Sequence, residues 1–505
     1  MGSFWPRSGK DEQDATNPAT PVEVVEAQDG EVSEQSFPLW EKTATSLGIE
    51  IPGSEPVEAQ LQTERRYLKL FTLWFSMNFN LIAISTGMTG TLSFGLGLRD
   101  CALIIIFFGL FTAFFTPYLS QFGHKLGLRQ MIHARYSFGL YGSAIPILLN
   151  MATLTGYGIV GSILGGQALS AIKPDELSVT VGIVIIALVA LGVTFCGSRW
   201  IHIFDLYSWL PSLVATLGAL GCSGKHLHLQ AEAPPATAST VLSFGALVGG
   251  FFLPWAAIAS DFSTYFDRRS KSAAVFIPTY LGLVLGAIPM QILGAAIGGA
   301  VPNIPAWEAG FERNSVGGVM GAMLEPVGGF GKFLLVLMAL SVLANVIGTI
   351  YALSLNFQSL MFLARLRLPR VVYTVVITAI IIPIAIKVAA EFLDSLNNFL
   401  GLISYWPACF ISVVVLEHVV FRKGKMEDGY DVSAWNVAGR LPSGIAALAA
   451  SVLSFGLVIP GMYQLWFVGP IAEKTGDIGF EMAFAVTLPL YVLFRTIEIK
   501  IQGRV

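Results

Sequence analysis

From Tyr67 almost to its end the chain is a succession of apolar stretches, each near the ~20 residues a helix needs to cross ~30 Å of hydrocarbon. Twelve occur, at about 67–97, 101–121, 140–170, 177–197, 201–222, 241–265, 273–300, 332–360, 370–390, 393–418, 442–463 and 479–497. Inside a bilayer each backbone N–H and C=O needs a partner, so only helices and closed barrels can span it. A barrel requires alternating segments of ~10 residues, whereas Val184 to Leu191 and Val376 to Ala385 are continuous runs, so helices are expected. Only 12% of the 505 residues are charged, against ~25% in soluble chains, which excludes an ordinary soluble enzyme. A formal charge of −3 gives no basic field for nucleic acid, so the bilayer is the expected partner and nucleic acid is not.

Residues 1–60 are acidic and poor in groups that could form a packed face, with Arg7, Lys10 and Lys42 as their only bases. They are expected to form a disordered cytosolic tail, followed by a transporter domain over 61–499 and a short tail over 500–505. No apolar core follows a basic start, so no cleavable signal is expected. With the N-terminus inside, 23 of the 30 Lys and Arg fall on the cytosolic side, among them Arg199, Arg365 and Arg367, which places both termini there. Cys101, Cys196, Cys222 and Cys409 lack CxxC spacing and are expected to act as small apolar residues.

Two spans carry helix-weakening residues near mid-membrane. Span one has Ser85-Thr86-Gly87 with Gly90, Gly95 and Gly97; span six has Gly249-Gly250 and Pro254. Glycine and proline also serve close packing in membrane helices. Their recurrence five spans apart is what a five-plus-five inverted repeat requires, and such pairs mark carrier binding sites. Polar side chains gather on the same group of spans: Asn78, Asn80, Ser85 and Thr86 in one; Asn150, Thr153, Tyr157 and Gln167 in three; Trp255 and Asp261 in six; Asn345, Thr349 and Tyr351 in eight. A planar heterocycle would engage such amides and hydroxyls, with Trp255 as a stacking face. The alternatives are interhelical hydrogen bonding for the amides and interfacial belts for Tyr405 and Trp406.

Charges within spans are Asp205, Asp261, Asp394 and Glu417, all near span ends. Asp261 can serve coupling or gating, or pair with a base at the inner end of span six; Glu417-His418 reads as an interfacial pair. The six histidines, including His202, form no HExxH, and there is no Walker A lysine, so neither a metal, a cofactor nor ATP is expected. Transport on an ion gradient is the default.

Several stretches in order resemble the fungal purine-cytosine permeases of the nucleobase-cation symporter-1 family: "ERRYLKLFTLWFSMNFN" with "STG" and "FGLGLRD", "GLRQMIHARYSFG", "LLNMATLTGYGIVGSILGGQALSAI", "PWAAIASDFSTYF", "YALSLNFQSL" and "FLGLISYWPACFISVVVLEH". The resemblance implies an all-α integral membrane protein with twelve transmembrane helices, a LeuT-like five-plus-five inverted repeat and broken helices one and six. It implies proton-coupled uptake of a small heterocycle such as cytosine, adenine or hypoxanthine across the plasma membrane. It also implies a substrate site on Ser85, Tyr157, Gly161, Trp255, Asn345, Gly348 and Thr349, to which the polar lining adds Gln167. Nucleobase-carrying members typically show an aromatic followed four residues later by Asn in span three, and an "NNxPN"-like stretch in span eight. This chain has Tyr157 with Gly161, and "NVIGT" over 345–349. The missing amides keep a pyridoxine-like vitamin, a nucleoside or a specialised heterocycle open as solutes.

A major facilitator carrier also has twelve helices, but about eight residues join spans six and seven where that design usually has a long central loop. An outer segment, 301–331, is expected to hold a short gating helix. The expected mechanism is alternating access around a site between spans one, three, six, eight and ten.

Overall fold

The computed structural model describes residues 55–195, 204, 206–364 and 368–505. Cys196, Arg199, His202, Asp205, Arg365, Arg367 and the tail as far as residue 54 lie outside the described residues. The described residues include the last six of the expected tail, 55–60. The Val57 amide donates to the Gly127 carbonyl at 2.8 Å, and buried Gln62 donates through Nε2 to the carbonyls of His124 and Thr264.

Helices fall on all twelve expected spans. Span one is the pair Leu68–Asn78 and Leu81–Leu92, and spans two to seven are Leu98–Leu126, Ala144–Ser170, Val179–Phe195, Trp209–Ser223, Ala238–Phe262 and Ser272–Ala300. Span eight is Gly328–Ser341 with Leu343–Leu363, nine is Arg370–Val388, and ten is Phe392–Ile403 with Tyr405–Leu416. Eleven is Ile445–Gly461, and twelve is Gly479–Gln502, a turn beyond its expected end. The expected outer helix is Pro305–Leu324, kinked at Asn314 and Ser315.

Packing follows an exchange of each span with the one five places on. Span one lies on seven as span six lies on two; three meets nine as eight meets four; five meets eight as ten meets three. Five crossings is an odd number, so exchanged spans run in opposite directions and the repeat is inverted. Spans one and seven approach closely because span seven presents Gly282, Gly286, Gly294 and Gly298 at spacings of four or eight. A Cβ on Gly294 would lie 1.9 Å from the Ile84 carbonyl oxygen.

Two interfacial assignments are corrected. Tyr405 and Trp406 are buried: Trp406 Nε1 donates to Thr153 Oγ1 at 2.9 Å, joining spans ten and three, and the Tyr405 hydroxyl donates to Asp477 and accepts from Gln464 Nε2, so neither belongs to a lipid belt. Glu417 is not paired with His418. It is enclosed, accepting from Arg495 Nε at 2.9 Å, Arg422 Nη2 at 2.8 Å and Tyr491 Oη at 2.8 Å. Removing a carboxylate from water is tolerable only with its lone pairs filled, and three partners supply that here.

Candidate functional site

The break in span one lies at Phe79–Asn80, where the two half-helices meet at 50°. Asn80 is extended (φ −155°) and caps the second half: Oδ1 accepts from the Ile82 amide at 2.8 Å, while Nδ2 donates to the Met77 carbonyl at 2.7 Å. The expected break at Ser85-Thr86-Gly87 is therefore corrected. These residues lie within the helix Leu81–Leu92, and Ser85 Oγ and Thr86 Oγ1 donate back to the Ile82 carbonyl at 2.9 and 2.8 Å. Gly87 serves packing, since its Cβ would lie 1.8 Å from the Gln291 carbonyl oxygen. A short side chain that can cap outweighs three residues of low helix propensity.

Span six breaks where its sequence indicates. The α-helix Ala238–Phe252 passes into a tighter 3-10 turn over Leu253–Phe262. Pro254 has no N–H, so the carbonyl four residues before it, that of Gly250, loses its helical partner. Tyr157 of span three takes that place, its hydroxyl donating to the Gly250 and Phe251 carbonyls at 3.1 and 2.9 Å. The Tyr157 ring lies 4.8 Å from that of Trp255 at 32°, and edge-on to Phe399 at 5.3 Å.

Span eight closes the third side. Asn345 Nδ2 donates to the Met77 carbonyl at 2.9 Å, and Thr349 Oγ1 to Asn345 Oδ1 at 3.5 Å. The two glycines are occupied by neighbours: a Cβ on Gly161 would lie 2.6 Å from Val346 Cγ2, and one on Gly348 2.7 Å from Met77 Cε. Tyr157, Trp255, Ser85, Asn345 and Thr349 are all wholly buried.

Gln167 stands apart from this group. Ten residues along the same helix from Tyr157, ~15 Å by helical rise, it offers its carbonyl to Asn314 of the outer helix at 2.7 Å. Asp261 lies at the inner end of span six, where its Oδ1 accepts from the Gln130 amide at 2.8 Å and its carbonyl from Arg129 Nη1 at 3.2 Å. It belongs to a clamp between span six and the loop after span two, which Ser260 Oγ extends by donating to the Leu119 carbonyl at 2.8 Å.

Trp74, absent from the expected set, meets Trp255 edge-on at 6.1 Å and Phe262 at 5.7 Å. Its signal in the sequence is an aromatic one turn ahead of a broken helix. Among the described residues, the polar atoms without a hydrogen-bond partner in this region include the indole nitrogens of Trp74 and Trp255 and the amide oxygens of Asn78 and Asn150. The assembly offers aromatic faces and neutral donors and acceptors, which is recognition chemistry.

A family model described as permease for cytosine/purines, uracil, thiamine, allantoin matches residues 56–481. The purine-cytosine permease fcyB of Emericella nidulans is 33% identical over 95% of this chain and 96% of its own length. The vitamin B6 transporter TPN1 of Saccharomyces cerevisiae is 25% identical over 92% of this chain and 90% of its own. Among solved structures, Mhp1, a nucleobase-cation-symport-1 family transporter in a closed conformation with bromovinylhydantoin bound, superposes with a TM-score of 0.69 at 15% identity. It covers 89% of this chain and 96% of that one. The major facilitator alternative is thereby set aside on fold.

Proposed function

The chain belongs to the family of permeases for cytosine/purines, uracil, thiamine and allantoin, a multi-pass membrane transporter and not an enzyme, and we propose that it imports a nucleobase such as cytosine, adenine or hypoxanthine by alternating access. The observation that carries this is the Tyr157–Trp255 pair at the break of span six, aromatic faces held where a backbone interruption lets one bundle move against the other. At 4.8 Å the rings touch each other, so a planar solute enters against the outer face of one ring, or parts them. Ser85, Gly161, Asn345 and Thr349 line the solute's path; Gln167 serves the outer gate through Asn314, and Asp261 the inner one.

Protons are proposed as the coupling ion. Met77 O, one of the carbonyls freed at the span one break, is taken up by two side-chain amides, those of Asn80 and Asn345, which favours that reading over a sodium site on this atom. The plasma membrane and cytosolic termini complete the proposal, on the distribution of Lys and Arg. Uptake of labelled cytosine, adenine and hypoxanthine in cells lacking their own nucleobase carriers tests it, with a protonophore and sodium replacement as arms. Saturable, protonophore-sensitive uptake is expected; silence on nucleobases with the protein at the surface refutes it. A pyridoxine-like solute is the second reading, favoured by Gly161, whose space Val346 fills in place of an amide, and uptake of pyridoxine alone would establish it.

A further inference from the structure

Two indoles meet between the broken spans, and neither uses its N–H. Trp74, in the first half of span one, and Trp255, just past the break in span six, are both 0% exposed and lie edge to face at 74°. Their Nε1 atoms are enclosed and find no acceptor among the described residues. Other indoles here do: Trp209 Nε1 donates to the Leu206 carbonyl at 3.0 Å and Trp406 Nε1 to Thr153. An indole nitrogen can only donate, and a buried donor left unpaired is costly, so two side by side call for acceptors from elsewhere.

We propose that Trp74, set steeply across the ring of Trp255 against which the solute stacks, is a specificity-determining residue that donates to acceptor atoms on the rim of the solute, so that oxo-substituted rings are selected over amino-substituted ones. This rests on the nucleobase reading above. A 6-oxopurine presents N7 and O6, both acceptors, along one edge, whereas adenine presents N7 beside an amino donor. An amino group set against an indole N–H opposes donor to donor and leaves both unpaired. The unpaired oxygens of Asn78 and Asn150 can accept ring N–H groups, the imidazole N–H that both purines carry and the N1–H that adenine lacks, so the analogue that keeps both and loses only N7 isolates the indole contribution.

The test is competition for labelled hypoxanthine uptake by unlabelled hypoxanthine, adenine and 7-deazahypoxanthine, in wild type and in Trp74→Phe, at matched surface abundance. Phenylalanine keeps an aromatic ring against Trp255 and removes the donor together with part of the indole's volume. Hypoxanthine is expected to outcompete adenine by about tenfold, one hydrogen bond's worth, and 7-deazahypoxanthine, lacking the N7 acceptor, to lose a similar factor. Trp74→Phe brings the hypoxanthine-to-adenine ratio towards one. Equal competition by both purines in wild type, or a ratio unmoved by Trp74→Phe, overturns the inference and leaves the nucleobase reading standing; absence of hypoxanthine uptake overturns the inference, and absence of cytosine and adenine uptake as well overturns both. The deaza analogue, read on wild type, decides the matter even where the variant fails to reach the surface.

Discussion

Spans one and six are counterparts in the inverted repeat, yet they are interrupted by different physics. Span one carries its own repair: Asn80 caps the second half-helix and holds the Met77 carbonyl of the first, all between Met77 and Ile82. Span six has no such residue. Pro254 strips the Gly250 carbonyl of its donor, and a tyrosine 93 positions before that glycine restores it. One break is stable wherever the helix goes, while the other exists in this form only while span three stays beside it. Movement between bundles is therefore felt at span six first.

That contrast can be broken experimentally, and the largest effect is expected at Trp255. Trp255→Ala removes a stacking face worth roughly 1–3 kcal/mol and opens a cavity beside Tyr157, so uptake should fall about a hundredfold at unchanged surface abundance. Full uptake would discard the aromatic site. Tyr157→Phe keeps the ring and orphans the Gly250 carbonyl, and should reduce uptake about tenfold. If it were silent, span six would not depend on span three as the geometry requires.

Asn80→Ala is expected to act on stability rather than on solute preference, lowering helix stability by about 1 kcal/mol. Thermal unfolding in detergent would show this, and a shift in substrate preference would mean that Asn80 contacts solute.

The smallest effect is expected at Glu64. Its main chain pairs with Tyr265 and Asp267, tying the segment before span one to the loop after span six, and Arg66 and Lys69 hold its carboxyl well below the usual range. A depressed acid contributes stability above its unfolded pKa and loses it only as pH falls through the folded one. The difference in unfolding temperature between wild type and Glu64→Gln should thus be small and constant from pH 7 to 5, and shrink only under stronger acid. A difference that varies between pH 7 and 5 would show that another group titrates in that clamp.

Much of this was legible in the chain. Hydrophobic length placed twelve helices to within a few residues, Pro254 located one break, and Tyr157 meets Trp255 as Thr349 meets Asn345. Elsewhere local signals misled: Gly87 looked like a helix breaker because propensity cannot distinguish weakness from close approach, and its true neighbour, the Gln291 carbonyl, is two hundred positions away. Glu417 looked interfacial because its partners Arg495 and Tyr491 lie in another span. Trp74 went unnoticed because an indole in an apolar helix is unremarkable until its N–H is seen to lack an acceptor.

The sequence by itself determined that this protein lives in a bilayer as twelve helices, since the hydrocarbon demand on the backbone is met or failed within each segment. Only the tertiary structure decided which carbonyl answers which donor across spans. Those bonds join residues from 93 to 268 positions apart, and no local periodicity encodes a contact that exists only once two helices have packed.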